Sequence, residues 1–192
     1  MFGFLKRKIR EVFTSINDNE EMTSSAVIEK YRVEIKKIKI ENQPFRLSGL
    51  LHILTNRVSD LLKDNGHTIY YDVESEVGRY IIGDNDYIEQ VLEILVKDAL
   101  SLNRDFEVML KISNYKNKFL VFEVINEKGL MKKKSYQKYV DTERIMTSYQ
   151  ESLNTFVKAK KIVEAMNGTI ALKSSRISGT HYTFKIPYYE DK

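Results

Sequence analysis

The sequence predicts an α+β fold: a two-layer sandwich of one mixed β-sheet with helices on one face, preceded by an N-terminal helical segment. Three observations lead to this prediction. Apolar residues recur at helical spacing over 45–64 and 84–102, and they alternate with polar residues over 106–113 and 119–125. The chain then ends in a helix followed by two strands over 160–187. Strand pairs separated by helices are typical of this sandwich.

Size and composition limit the classes of protein. The chain has 192 residues, of which 42% are hydrophobic and 30% charged, enough for one domain with an appendage or two small domains. It contains no cysteine, which excludes disulfides, thiolate metal sites and thiol catalysis. His52, His67 and His181 are too far apart in sequence to suggest a metal cluster.

Charge and hydropathy narrow the expected location and partners. The net charge of +4 is mild, and we find no dense basic face with interleaved aromatic residues, so nucleic-acid binding is not predicted. No apolar run approaches the roughly 18 residues needed to cross a bilayer. The basic start is not followed by an apolar core and a cleavage site, unlike a signal peptide. We therefore expect a cytoplasmic protein.

The first part of the chain predicts a helical segment, 1–44, ahead of a domain spanning 45–192. Residues 2–16 place apolar side chains at helical spacing with basic residues on the other faces. Such a helix could lie on a membrane surface, or pack on its own domain or on a second copy; we prefer packing, because three to four turns with modest charge anchor weakly. A polar linker leads to a second helix over 26–40, which Pro44 ends.

The first half of the domain predicts two helices and two strands. Residues 45–64 have one apolar face, and Asn65-Gly66 is a typical helix end. Two short strands are predicted over 67–73 and 79–84. A second helix follows over 84–102, again with its apolar residues on one face.

The second half predicts a hairpin, a variable loop and a closing unit. The strands over 106–113 and 119–125 turn at Asn114 to Lys118. The lysine-rich stretch over 128–150 has no apolar periodicity, and we expect it to be mobile. The closing helix ends at Asn167-Gly168, and two strands joined by a glycine turn follow it.

Three stretches together resemble a known family. The closing sequence KKIVEAMNGTIALKSSRISGTHYTFKIP resembles the C-terminal signature of the histidine-kinase-type (GHKL) ATPase fold, which Hsp90, gyrase and MutL share. FRLSGLLHILTNRVSDLLKDNGHTIYYDV resembles the first helix and strand of that fold, and GDNDYIEQVLEILVKDAL resembles the helix that bears its asparagine motif. The resemblance spans about 45–187 and implies a nucleotide site whose motifs are degenerate.

The asparagine motif is altered. In the family, this helix supplies an amide oxygen to Mg²⁺ just before a small residue; the equivalent pair here is Asp98 and Ala99. Aspartate is also a hard oxygen ligand and could hold the ion. One turn earlier, active members have a polar or acidic residue that orients the attacking group. Ile94 stands there and cannot accept a proton, so we expect it to be a core contact.

The adenine motif is altered as well. In the family an aspartate binds the adenine amino group and is followed by glycines; here Asn126 replaces it, Gly129 remains, and Lys128 and Leu130 occupy glycine positions. We expect these two side chains to fill space that the ligand needs, and we expect Asn126 to start a turn. Thr180 matches a threonine near the adenine. The resemblance therefore implies these vestigial nucleotide-binding residues: Asp98, Asn126, Gly129 and Thr180.

The phosphate cradle is missing. In the family it is glycine-rich and lies at a helix N-terminus. The equivalent residues, Glu151 to Phe156, contain no glycine, and Glu151 would place a negative charge beside a triphosphate. Lys132 to Lys134 could replace some positive charge, although a lysine run in a loop is more often a solvated face.

A phosphoacceptor histidine is also hard to find. Residues 1–44 contain no histidine. His52 lies on the polar side of its predicted helix, but Ile53 follows it instead of the acidic neighbour that is usual in the family. We expect His67 to lie just before a strand, and His181 to face solvent from a strand.

The leading hypothesis is a non-catalytic histidine-kinase-like protein that binds other proteins in two-component signalling. Its partner would be a receiver domain or a histidine kinase, it would form a dimer through the N-terminal helices, and it would need no cofactor. One alternative is a divergent kinase or ATPase that still binds Mg-ATP through Asp98 and Asn126. A second is a phosphotransferase that uses His52 without ATP. A third is an adaptor held at the inner membrane surface by 2–16.

Overall fold

The computed structural model describes residues 33, 35–103, 107–132, 136 and 155–189. The predicted helix over 2–16, the linker after it, Lys133, Lys134 and Glu151 lie outside the described residues. Of the helix predicted over 26–40, residues 35–37 are helical and 38–40 are not. The division of the chain at residue 44 stays a prediction.

After one initial strand, each helix of the described chain is followed by two strands. They follow in the order β1 (Gln43–Arg46), α1 (Leu47–Asn65), β2 (Thr68–Val73), β3 (Tyr80–Gly83), α2 (Asn85–Leu100), β4 (Glu107–Tyr115), β5 (Phe119–Asn126), α3 (Thr155–Ala165), β6 (Thr169–Ser175) and β7 (Gly179–Pro187).

The main sheet is mixed and five-stranded, in the order β2-β4-β5-β7-β6. β2 pairs with β4 in parallel, and the remaining neighbours are antiparallel. Alternate side chains on the three inner strands are buried on one face, the face that α1, α2 and α3 cover. The predicted α+β sandwich is confirmed.

The first two predicted boundaries need correction. The helix predicted from Phe45 begins at Leu47, because residues Gln43–Arg46 form strand β1. β1 pairs antiparallel with β3, so the strand predicted over 79–84 exists but belongs to a separate two-stranded sheet. This pairing joins segments almost forty residues apart, and the local sequence pattern contains no signal for it.

The ends of α1 and α2 have clear local causes. Gly66 follows α1 with φ of 66°, a left-handed conformation that favours glycine, and its N–H donates to the Leu62 carbonyl oxygen. Asp84 caps α2: its Oδ1 accepts from the Tyr87 N–H at 3.0 Å, and its Oδ2 accepts from the Glu41 N–H at 2.9 Å. Asp84 therefore also holds the segment that leads into β1.

The core lies between the helices and the sheet. The rings of Phe122 on β5 and Phe184 on β7 stack with centroids 4.6 Å apart, and Tyr182 is fully buried beside them. Leu92 and Leu95 of α2 are also fully buried. Each such side chain contributes roughly 1.5–3 kcal/mol through burial. Among the helices that the structure describes, none is long and apolar enough to cross a membrane.

Candidate functional site

The C-terminal half of α2 presents the altered asparagine motif. Asp98 is partly exposed, and its Oδ2 accepts a hydrogen bond from the Tyr182 hydroxyl at 2.7 Å. Ala99, the next residue, is fully buried. Ile94, one turn earlier, is half-buried and packs against the core, as the sequence predicted. This stretch therefore offers one carboxylate, already bonded to a buried tyrosine, and no general base at position 94.

Asn126 lies at the end of β5 and is only 1% exposed. Its Nδ2 donates to the Ala99 carbonyl oxygen at 2.9 Å and to Asn103 Oδ1 at 2.7 Å, which uses both amide protons. Its Oδ1 accepts from the Gly129 N–H at 2.6 Å. Ala99 lies in the last turn of α2, where carbonyl groups lack full intrahelical partners, so the Asn126 side chain completes the end of this helix.

A chain of hydroxyl groups continues from Gly129 to the last hairpin. Thr180 is fully buried and donates from Oγ1 to the Gly129 carbonyl oxygen at 2.8 Å. Because that proton is used, Ser174 Oγ must donate to Thr180 Oγ1, 2.7 Å away, and it accepts from the Met131 N–H at 3.1 Å. We call the following seven residues the Asn126 network: Ala99, Asn103, Asn126, Gly129, Met131, Ser174 and Thr180.

The turn after Asn126 packs closely on the Asn126 side chain. Lys128 and Leu130 are exposed, and the expectation that their side chains fill space that a nucleotide needs stays a prediction. A Cβ added at Gly129 would lie 2.6 Å from Asn126 Cγ. Met131, only 6% exposed, joins the core just after the turn. As predicted, Asn126 starts a turn, and Gly129 N–H also approaches its carbonyl oxygen at 3.3 Å.

A groove of about 510 Å³ lies beside Asp98, between α2 and the start of α3. We call it the α2–α3 groove. It is lined by Gln90, Glu93, Ile94, Lys97, Asp98, Ser101, Thr155 and Lys158. The lining contains two lysines and two carboxylates, and one pair of them, Lys97 and Glu93, forms an ion pair at 2.7 Å. This charge balance does not favour a highly anionic ligand such as a triphosphate.

None of the three histidines belongs to the Asn126 network or lines the α2–α3 groove. His52 is exposed on α1, with its Nε2 3.2 Å from Asn56 Nδ2. His67 is buried between α1 and β2, just before the strand, as predicted. His181 lies on β7, is partly buried, and its Nε2 is 2.7 Å from the Ser178 carbonyl oxygen. The described residues include no group of three or more His, Asp and Glu side chains placed to share a metal ion.

The contact between α1 and α2 contains a buried carboxyl group. Glu89 is 5% exposed and forms an ion pair with Arg57, which also lies 3.5 Å from Glu93. Burial raises the pKa of Glu89, and the Arg57 guanidinium opposes that shift.

These residues do not fit Mg-ATP as the sequence resemblance requires. The amide protons of Asn126 and the hydroxyl proton of Thr180 are used within the chain. Asn126 Oδ1 cannot be reached by an adenine amino group unless the surrounding chain moves, because the residue is buried. Asp98 is the one residue of the four with an exposed surface.

Sequence reasoning missed four residues of this region. Asn103, Ser174 and Tyr182 each contribute a partner to a residue that the sequence did single out, and Met131 donates its N–H to Ser174. Each partner is distant in sequence from at least one residue that it contacts, so spacing gave no signal. The alternation of β6 and β7, which places Ser174 opposite Thr180, was the one usable clue.

Comparison with known proteins defines the class of fold. No model of a protein family and no curated protein sequence matches the chain. Full-length ShkA in complex with AMPPNP superposes with a TM-score of 0.67 at 17% identity, over 80% of this chain and 32% of that chain. This chain thus corresponds to less than half of ShkA.

Two further solved structures match most of the chain. The histidine kinase AdeS of Acinetobacter baumannii gives a TM-score of 0.62 at 15% identity, covering 98% of this chain and 84% of that one. The histidine kinase ThkA, in complex with the response regulator TrrA, gives 0.61 at 19% identity, covering 98% and 61%. The fold is therefore that of the histidine-kinase-type ATPase domain, as the closing sequence predicted.

Proposed function

We propose that this chain is a histidine-kinase-like protein that acts without catalysis, as a protein-interaction module in bacterial-type two-component signalling. The supporting observation is the state of Asn126. At the position where the resemblance places the adenine-binding aspartate, a buried amide makes three hydrogen bonds within the chain. Ile94 adds to this, because a half-buried aliphatic side chain cannot act as a general base.

A receiver domain or a histidine kinase is the proposed partner. The solved complex of ThkA with its response regulator supports a partner of this kind, since the two chains share a fold over 98% of this one. A homodimer through residues before 44 is part of the proposal, as is a cytoplasmic location. Attachment to the inner membrane through 2–16 is the weaker alternative, because the helix predicted there is short and modestly charged.

Calorimetric titration of Mg-ATP and Mg-ADP to millimolar concentration tests the absence of nucleotide chemistry. We expect no saturable heat and no rise in Tm, because the amide protons of Asn126 and the hydroxyl proton of Thr180 are used within the chain. A catalytically active histidine kinase domain, titrated under the same conditions, is the positive control.

Saturable binding that weakens in Asp98→Ala would contradict the proposal and establish a divergent nucleotide-binding protein. Acid-labile phosphate on His52, formed with a phosphorylated receiver domain and lost in His52→Ala, would establish a phosphotransferase instead. His52 is exposed on α1 and therefore accessible to such a partner.

A further inference from the structure

We propose that the Asn126 network takes the structural place of a bound nucleotide: it closes the adenine end of the domain with the chain's own hydrogen bonds and holds the 126–131 turn shut. The inference rests on the proposed function in one respect, that this end of the domain no longer serves a ligand. It is supported by the contacts that Asn126, Gly129 and Thr180 make with one another. The family resemblance assigns each of these three residues to nucleotide binding.

The Asn126 network connects three parts of the fold. Asn126 joins the end of β5 to the last turn of α2 and to Asn103 beyond it. Thr180 and Ser174 join the same turn to β7 and β6. In a domain that binds nucleotide, polar groups at such a junction would be available to the ligand, whereas here they bond to each other.

The hydrogen bonds of the Asn126 side chain have a fixed direction. The Ala99 carbonyl oxygen can only accept, so Asn126 must turn its NH₂ group towards α2 and its oxygen towards the Gly129 N–H. Asn103 must then present its oxygen to Asn126, and its own Nδ2 is left without a partner among the described residues. A buried donor without a partner costs free energy. The arrangement accepts this cost at Asn103 while satisfying every polar atom of the Asn126 side chain.

Two glycines allow the backbone to pack closely around Asn126. Gly179 has φ of 71°, and a Cβ there would collide with the Asn126 carbonyl oxygen and the backbone of Glu127. A Cβ at Gly129 would lie 2.6 Å from Asn126 Nδ2. Both glycines therefore permit the backbone to approach the Asn126 side of the turn closely.

The experiment measures Tm and the amide hydrogen exchange of the ligand-free full chain. In Asn126→Ala, the groups on Ala99, Asn103 and Gly129 lose their hydrogen bonds to the Asn126 side chain, and we expect Tm to fall by about 5–10 °C. We also expect exchange of the Gly129 and Met131 amides to accelerate at least tenfold. Asn56→Ala is the matched control, because this exposed asparagine makes one side-chain contact; its Tm should change by less than about 1 °C.

A second set of variants keeps the test decisive if Asn126→Ala does not fold. Thr180→Ser retains the hydroxyl group, whereas Thr180→Val removes it at similar volume. We expect only the valine variant to accelerate exchange at Gly129 and Met131. Unchanged exchange in both Asn126→Ala and Thr180→Val would overturn the proposal.

Asn126→Asp separates this inference from the proposed function. It restores the residue expected in the family, but its carboxylate cannot donate to Ala99 or Asn103. Burial raises the pKa of such a carboxyl group, so the variant should lose stability as pH rises above about 4 and should still bind no Mg-ATP. Nucleotide binding by the wild type would refute the proposed function and the idea that the network replaces a nucleotide, whereas the stabilising role of the network is judged on ligand-free protein. Wild-type stability of Asn126→Asp at neutral pH would refute the network.

Discussion

The two ends of the altered site differ in burial and in how their polar groups are paired. At the adenine end, the Asn126 network fills the position with intrachain hydrogen bonds, and every member named by the sequence is buried. At the opposite end, the α2–α3 groove retains about 510 Å³ of space, and Asp98 is partly exposed. The polar groups at one end are paired within the chain, whereas the other end is an open groove with mixed charge.

This difference follows from burial. Polar groups that are removed from water must find partners, so the buried end depends on a complete set of hydrogen bonds. The exposed end can lose its general base to Ile94 without such a set, because water solvates the groove. We therefore expect substitutions at the adenine end to reduce stability strongly, and those at the groove to reduce it less.

Gly179→Ala should break the closed end and give the largest effect. The residue has φ of 71°, and the added methyl group would meet the backbone of Asn126 and Glu127. We expect the free energy of unfolding to fall by about 3 kcal/mol, from strain and overpacking together. Urea denaturation with a constant m-value would measure it.

Gly49→Ala is the matched control for that substitution. Gly49 lies within α1, and the nearest atom to an added Cβ is Arg46 Cβ at 3.9 Å. We expect no loss of stability, and a gain of up to about 1 kcal/mol, because alanine favours helix. Equal losses for the two glycine variants would contradict the idea that the adenine end is tightly closed.

The sequence predicted the elements well where their causes are local. Gly66 ends α1, Asp84 caps α2, and alternation places the hairpin of β4 and β5. β1 was missed because its partner β3 is distant in sequence, and a proline in a short segment favours a turn over a strand. The parallel pairing of β2 with β4 is equally non-local.

The sequence predicted which residues belong to the candidate site, but not what their side chains bond to. Asp98, Asn126, Gly129 and Thr180 were identified from a family resemblance, and the last three do meet. What they bond to depends on the end of α2 and on Ser174, which no spacing rule connects to them. The expected obstruction by Lys128 stays a prediction, because side-chain direction at a turn depends on backbone geometry that the sequence does not contain.

Asp98→Ala tests the open end and should give an intermediate effect. Removing the carboxylate leaves the Tyr182 hydroxyl, which is buried, without its acceptor at 2.7 Å. We expect a loss of about 1–2 kcal/mol, and a smaller loss for Asp98→Asn, which keeps an oxygen acceptor. A double-mutant cycle with Tyr182→Phe measures the coupling between the two side chains. Strictly additive losses would show that this hydrogen bond does not stabilise the fold.

Glu89→Gln probes a region outside both ends and should give the smallest effect. Burial raises the pKa of Glu89 above its ordinary value of 4.5, so the folded protein binds its proton more tightly than the unfolded chain. Stability from this residue is therefore complete below pH 4.5 and falls as pH rises through the folded pKa. Glutamine resembles the protonated form and removes that dependence. As pH rises over this range, the stability of the variant should therefore increase relative to that of the wild type, by less than about 1 kcal/mol.

Arg57→Gln sharpens this last comparison, because the guanidinium opposes the rise in the pKa of Glu89. Without it, the wild-type carboxyl should hold its proton to higher pH, and stability should fall more steeply between pH 4.5 and neutrality. Chemical denaturation across that range measures both variants. Parallel pH profiles for the wild type and Glu89→Gln would show that burial does not determine the protonation of Glu89. Because this contact lies on the α1 side of α2, neither variant should alter amide exchange at Gly129, whereas every substitution that opens the adenine end should.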